Sequence, residues 1–76
     1  MRAVVTFRGP EAGVVRSSLA PEAGREIPGC SVSVGGEEDV AEIAIEAADV
    51  GALRAAVNSY LRWSQVALEA RRAVRA

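Results

Sequence analysis

The sequence predicts an α+β fold: a two-layer sandwich in the order β-α-β-β-α, with a three-stranded antiparallel sheet and two helices on one face. Three observations predict it. Apolar and polar residues alternate with period two over residues 2–8, 30–34 and 40–47. Apolar residues recur at helical spacing from Ala12 to Leu19 and again from Val50 onward. Glycines, prolines and acids punctuate the joints between these stretches. At 76 residues, half of them hydrophobic and a quarter charged, the chain fits one domain over residues 1–76. A domain of that size buries only about 60% of its unfolded surface, so its core is marginal and a partner is a common remedy.

In the first strand Ala3, Val5 and Phe7 fall on one face, and Arg2, Val4, Thr6 and Arg8 on the other. Gly9-Pro10-Glu11 reads as a helix start, with Pro at the first helical position and an acid in the first turn. Ala12, Val15 and Leu19 mark the inner face of this helix, which Pro21 is expected to stop after about three turns. Residues 20–29 hold two prolines and two glycines and read as a loop. The second strand, Cys30 to Val34, sets Val32 and Val34 inward and Ser31 and Ser33 outward. Gly35-Gly36 followed by Glu37-Glu38-Asp39 signals a hairpin with an acidic tip.

The third strand, Val40 to Ala47, sets Ala41, Ile43 and Ile45 inward and Glu42, Ala44 and Glu46 outward. Placed centrally, it makes every strand pair antiparallel and brings Glu42 and Glu46 beside Arg2 and Arg8. Asp49 is the expected N-cap of a last helix that runs to about Arg75, interrupted only by Gly51 in its first turn.

About 27 helical residues span ~40 Å, whereas a seven-residue strand spans ~23 Å. Several turns must therefore overhang the sheet, with Trp63, Val66, Ala70 and Val74 on or near the overhang. At 100° per residue, Val50, Leu53, Val57, Tyr60, Leu61, Ser64 and Leu68 form the stripe assigned to the sheet. Arg54, Asn58, Arg62, Gln65, Glu69 and Arg72 form a polar stripe. Between them runs a strip of Ala52, Ala56, Ser59, Trp63, Ala67, Ala70 and Val74, small residues around one large aromatic, which suits close approach of a partner helix. The plainer reading is that the first helix covers Trp63. Ser31-Val32-Ser33-Val34 carries no Lys, Pro or charge to blunt an edge, so pairing with a second copy of the chain competes with a short edge that needs no protection.

The residue inventory excludes most chemistry. There is no His, hence neither the usual general base nor the commonest metal ligand, and the single Cys30 precludes an internal disulfide or a cysteine zinc site. No catalytic residue, metal or cofactor is expected. The N-terminal apolar stretch is too short for a signal peptide and no run approaches a membrane span, so the default compartment is cytoplasmic and reducing. The serines lack a base, and Gly9-Pro10-Glu11-Ala12-Gly13 has the wrong spacing and sign for a KH-type RNA loop. An acylphosphatase-like enzyme would use Arg with Asn, but Asn58 is expected among buried helix residues with no phosphate cradle nearby.

The net charge is −1, which excludes a generally basic nucleic-acid binder. Its distribution is uneven. Six acids lie between Glu37 and Asp49, while Arg54, Arg62, Arg71, Arg72 and Arg75 stand against Glu69 in the last third. All nine basic residues are Arg, which a GC-rich genome accounts for. Arg62, Arg71, Arg72 and Arg75 read first as a solvated, dipole-favoured helix end, and second as bidentate phosphate ligands.

The segment Leu53-Arg54-Ala55-Ala56-Val57-Asn58-Ser59-Tyr60-Leu61-Arg62-Trp63 resembles the signature helix of the small dimerisation subunit of the KEOPS complex, the CTAG/Pcc family of archaea and eukaryotes. The likeness extends to Glu42-Ile43-Ala44-Ile45-Glu46-Ala47, to Ser31-Val32-Ser33-Val34 and to Leu19-Ala20-Pro21-Glu22, and so covers essentially the whole chain in order. The string from Asn58 to Trp63 carries the specificity. Ser64 departs from the pattern, in which a bulkier apolar residue often follows the Trp.

The resemblance implies a non-catalytic subunit of the complex that places threonylcarbamoyl on the adenosine beside the anticodon of ANN-decoding tRNAs. Such a subunit docks on the catalytic ASKHA-fold transferase by helix packing, self-associates as a homodimer, and helps hold tRNA in the assembled complex. Carried over, the docking residues are Ala56, Ser59, Tyr60, Trp63, Ala67, Ala70 and Val74. The homodimer edge is Ser31, Val32, Ser33 and Val34, and the candidate tRNA contacts are Arg62, Arg71, Arg72 and Arg75. Two alternatives stand beside it: a free-standing RNA-binding module, and a diverged archaeal paralogue that pairs with the true dimerisation subunit.

Overall fold

The computed structural model of the chain describes residues 1–23 and 29–75. Strand β1 (Arg2–Arg8) leads through a turn into helix α1 (Ala12–Ala23); strands β2 (Cys30–Gly35) and β3 (Val40–Ala47) form a hairpin, and helix α2 (Val50–Arg75) follows. The sheet order is β1-β3-β2 with both pairings antiparallel, as the alternation predicts. Both helices pack on the face formed by the inward residues of the three strands and also against each other. Ala41, Ile43 and Ile45 of the central strand are fully buried with Ala12, Val15 and Leu19 of α1, and Ala56 and Tyr60 of α2 complete the core.

The register sharpens one electrostatic expectation and corrects another. Arg2 lies directly opposite Glu46, but Glu42 faces Thr6, and Arg8 sits diagonally from it, opposite Val40. The hairpin forms where the glycines predicted it. Gly36 has a φ of +121°, and a Cβ there would run into the carbonyl of Val40, so a side chain meets both backbone strain and a clash. The tip closes by Val40 N–H donating to Glu37 O at 2.8 Å, and Gly9 N–H donates to Asp39 O at 2.8 Å, tying the start of α1 to the hairpin.

Two expectations about α1 need correction. Pro10 and Glu11 form a turn ahead of the helix, with Ala12 N–H donating to Gly9 O at 3.1 Å. The helix then continues through Pro21 to Ala23. Pro21 falls in the last turn, where its fixed φ suits the helix and only one N–H donor is lost, while buried Val15 and Leu19 hold the preceding turns on the sheet. Residues 20–23 of the expected loop are thus helical, and 24–28 lie outside the described residues.

Candidate functional site

Helix α2 begins with the predicted cap: Ala52 N–H donates to Asp49 Oδ1 at 2.8 Å. Its inward line is Ala56, Tyr60 and Ser64, each one helical turn from the last and each buried. The Ser64 hydroxyl donates to the Tyr60 carbonyl at 2.7 Å, so a polar side chain sits in the core with its donor satisfied. This line agrees with most of the angular projection and corrects its margin. Tyr60 and Ser64 are buried and Leu53, Val57 and Leu68 pack on the core, as assigned, but Val50 and Leu61 are 50% and 43% exposed and Ala56 turns inward with Tyr60. The cause is that α1 shares the sheet face and contacts α2, so the buried arc of α2 must serve both the strands and its neighbour.

The seven residues expected to dock a partner therefore do not form one surface. Ala56 and Tyr60 are enclosed in the chain's own core; Ser59 and Ala67 are half-buried; Trp63, Ala70 and Val74 are exposed. Trp63 packs edge-on against Tyr60, with ring centroids 5.1 Å apart and planes at 69°, yet keeps 36% of its surface open. Val66 stands on the same side and is more open still. Asn58, expected among buried residues, is exposed.

The overhang is present. The molecule measures 41 × 21 × 18 Å, and a 26-residue helix is about 39 Å long at 1.5 Å per residue. Leu68 is the last α2 residue packed against the core, lining a groove of about 260 Å³ with Phe7, Pro10, Ala12 and Val15. From Glu69 to Val74 every residue is exposed.

The arginines separate on this arm. Arg62 and Arg71 are nine residues apart, about two and a half helical turns, and so project from opposite sides of α2. Arg72 lies 3.8 Å from Glu11 Oε2 in an exposed ion pair across the α1 entry. The side chain of Arg75 lies outside the described residues. Sequence reasoning passed over Arg16. Its Nη1 donates to Val40 O at 2.6 Å and Glu38 O at 3.3 Å, carbonyls more than twenty positions away that no local pattern announces.

Strand β2 is an edge, with Ser31 and Ser33 exposed and Val32 and Val34 half-buried against the core. Among the described residues there is no group of three or more potential ligands for a metal ion, and no helix is long and apolar enough to cross a membrane.

A family model described as transcription factor Pcc1 matches residues 1–71. The chain belongs to the Pcc1 family. Members of that family are non-catalytic components of the KEOPS complex, and this places the present chain among KEOPS-related subunits with a role in tRNA modification. No curated protein matches the chain. Within this Pcc1-family chain, the string from Asn58 to Trp63 runs across the sector of α2 where the helix passes from its own core to open surface.

Proposed function

We propose that this Pcc1-family chain is a scaffold subunit that docks on the catalytic threonylcarbamoyl transferase through the exposed side of α2, self-associates through the β2 edge, and presents the arginine-bearing end of α2 to tRNA in the assembled complex. One observation carries the reading. Trp63, Val66, Ala70 and Val74 form an exposed apolar run along one side of α2, with Trp63 resting edge-on against Tyr60 and the last two residues lying beyond the core. A helix from a partner fits such a run, because the intervening residues are small and let backbones approach closely. Ala56 and Tyr60 support the docking face from beneath rather than touching the partner.

The β2 edge offers main-chain donors and acceptors with serines outward and no charge, which suits pairing with an identical strand. A free-standing nucleic-acid binder, which the family's description as a transcription factor invites, is disfavoured by a net charge of −1.

Trp63→Ala tests the docking face. The variant is expected to keep its fold by circular dichroism and to lose capture of the transferase subunit in a pull-down. Undiminished capture would remove the exposed run from the interface. Sedimentation of the chain alone and with the transferase reports self-association; a monomer in both states would end the edge-pairing part of the reading.

A further inference from the structure

Among the described residues one buried side chain is polar: Ser64, 1% exposed, in line with Ala56 and Tyr60. A serine inside a helix has a poorer helix propensity than alanine, and a hydroxyl taken out of water needs a partner. Ser64 finds it in its own helix, where Oγ donates to the Tyr60 carbonyl at 2.7 Å. In α2 the same carbonyl receives the N–H of residue 64. A hydroxyl bonded back across one turn competes with that ladder and is a source of helix bending. The turn from Tyr60 to Ser64 also holds Trp63, whose ring rests edge-on against Tyr60 with centroids 5.1 Å apart. Tyr60, itself fully enclosed, thus supports Trp63 by its ring and Ser64 by its carbonyl.

We infer that Ser64 is a positioning residue for docking: its hydrogen bond to Tyr60 and its small size fix the turn that seats Trp63 and aims the rest of the helix, while Ser64 itself touches no partner. The role presupposes the docking on the transferase proposed above. The turn stands where direction matters most. Leu68, about one turn further on, is the last α2 residue against the core, and Val66, Ala70 and Val74 are exposed around and beyond it. Val74 lies about ten residues past Ser64, ~15 Å along the axis, so a change of direction of about 20° at Ser64 moves it by ~5 Å. Close packing against a partner helix does not absorb a shift of that size. Size matters as well, because the site is enclosed and a larger side chain there would lift the helix from the sheet.

The test titrates the purified transferase subunit against the full chain and follows the fluorescence of Trp63, the single tryptophan, in the free chain. Ser64→Ala removes the hydroxyl at nearly constant volume and installs a better helix former, so the urea midpoint is expected to move little. Affinity for the transferase is expected to fall about 3- to 10-fold, and acrylamide quenching of Trp63 to change with it. Ser64→Cys keeps the size and a weaker donor, and is expected to fall between serine and alanine in both readings. Trp63→Ala, titrated in parallel, reports on the docking face itself. Lost affinity in Trp63→Ala with full affinity in Ser64→Ala overturns the positioning role and leaves the docking face standing. Full affinity in both overturns the role together with the docking face. An affinity loss in Ser64→Ala that comes with a large fall in the urea midpoint, or with unaltered Trp63 quenching, assigns Ser64 to core stability and overturns the role. A cysteine variant that binds no tighter than the alanine variant overturns the hydrogen bond as its means.

Discussion

The two ends of α2 differ both in composition and in surroundings. From Val50 to Leu68 the helix is capped by Asp49, lies on the sheet, and buries Ala56, Tyr60 and Ser64. From Glu69 onward the helix reads Glu69-Ala70-Arg71-Arg72-Ala73-Val74-Arg75, with no Leu or aromatic, and every described side chain is exposed. The sheet beneath differs too, ending near Phe7 while the helix goes on. Reach and composition change together: the large apolar residues other than Val74 stop where the sheet does.

Substitutions along the helix probe that contrast. Tyr60→Ala should have the largest effect: removing a fully buried aromatic costs about 3–5 kcal/mol, close to the whole stability of a small domain. Urea denaturation should then show a largely unfolded chain, and a loss below about 1 kcal/mol would mean that the core closes without the ring. Asp49→Ala removes the acceptor for Ala52 N–H and is expected to cost about 1 kcal/mol, read as a lowered midpoint with an unchanged slope. Val74→Asp, on the overhang, should change stability by no more than about 0.5 kcal/mol. A larger loss in the isolated chain would show that the arm packs on something within it, and the contrast between the two ends would fail.

Much of this was legible in the residues. Period-two alternation gave all three strands and their inward sets, and the requirement of antiparallel neighbours put β3 in the middle. The cap at Asp49 and the length of α2 followed from local chemistry. Helix α2 was legible except at the margin of its buried arc, where Ala56 turns inward and Leu61 outward. Its apolar residues occupy a wide arc, and the part that turns inward is settled by a second helix whose position no angular projection contains. The passage of α1 through Pro21 was not legible, since the packing of Val15 and Leu19 decides it. Arg16 escaped notice for a related reason, because its two acceptors belong to a hairpin brought near only by folding.

The sheet has two free margins, β1 and β2, and they are chemically unlike. A β2 strand laid antiparallel against β2 of a second molecule forms a closed pair related by a two-fold axis. A β1 strand laid against the next molecule's β2 forms a contact that repeats without closing, the geometry of a fibre. Arg2 and Arg8 stand at the ends of β1, on its solvent face, while β2 carries only serines there. Charges of this kind are how natural sheets discourage edge-to-edge growth. A pair of arginines at one margin thus makes the two edges of the sheet unlike, so that the pairing proposed through β2 would close on itself rather than propagate through β1.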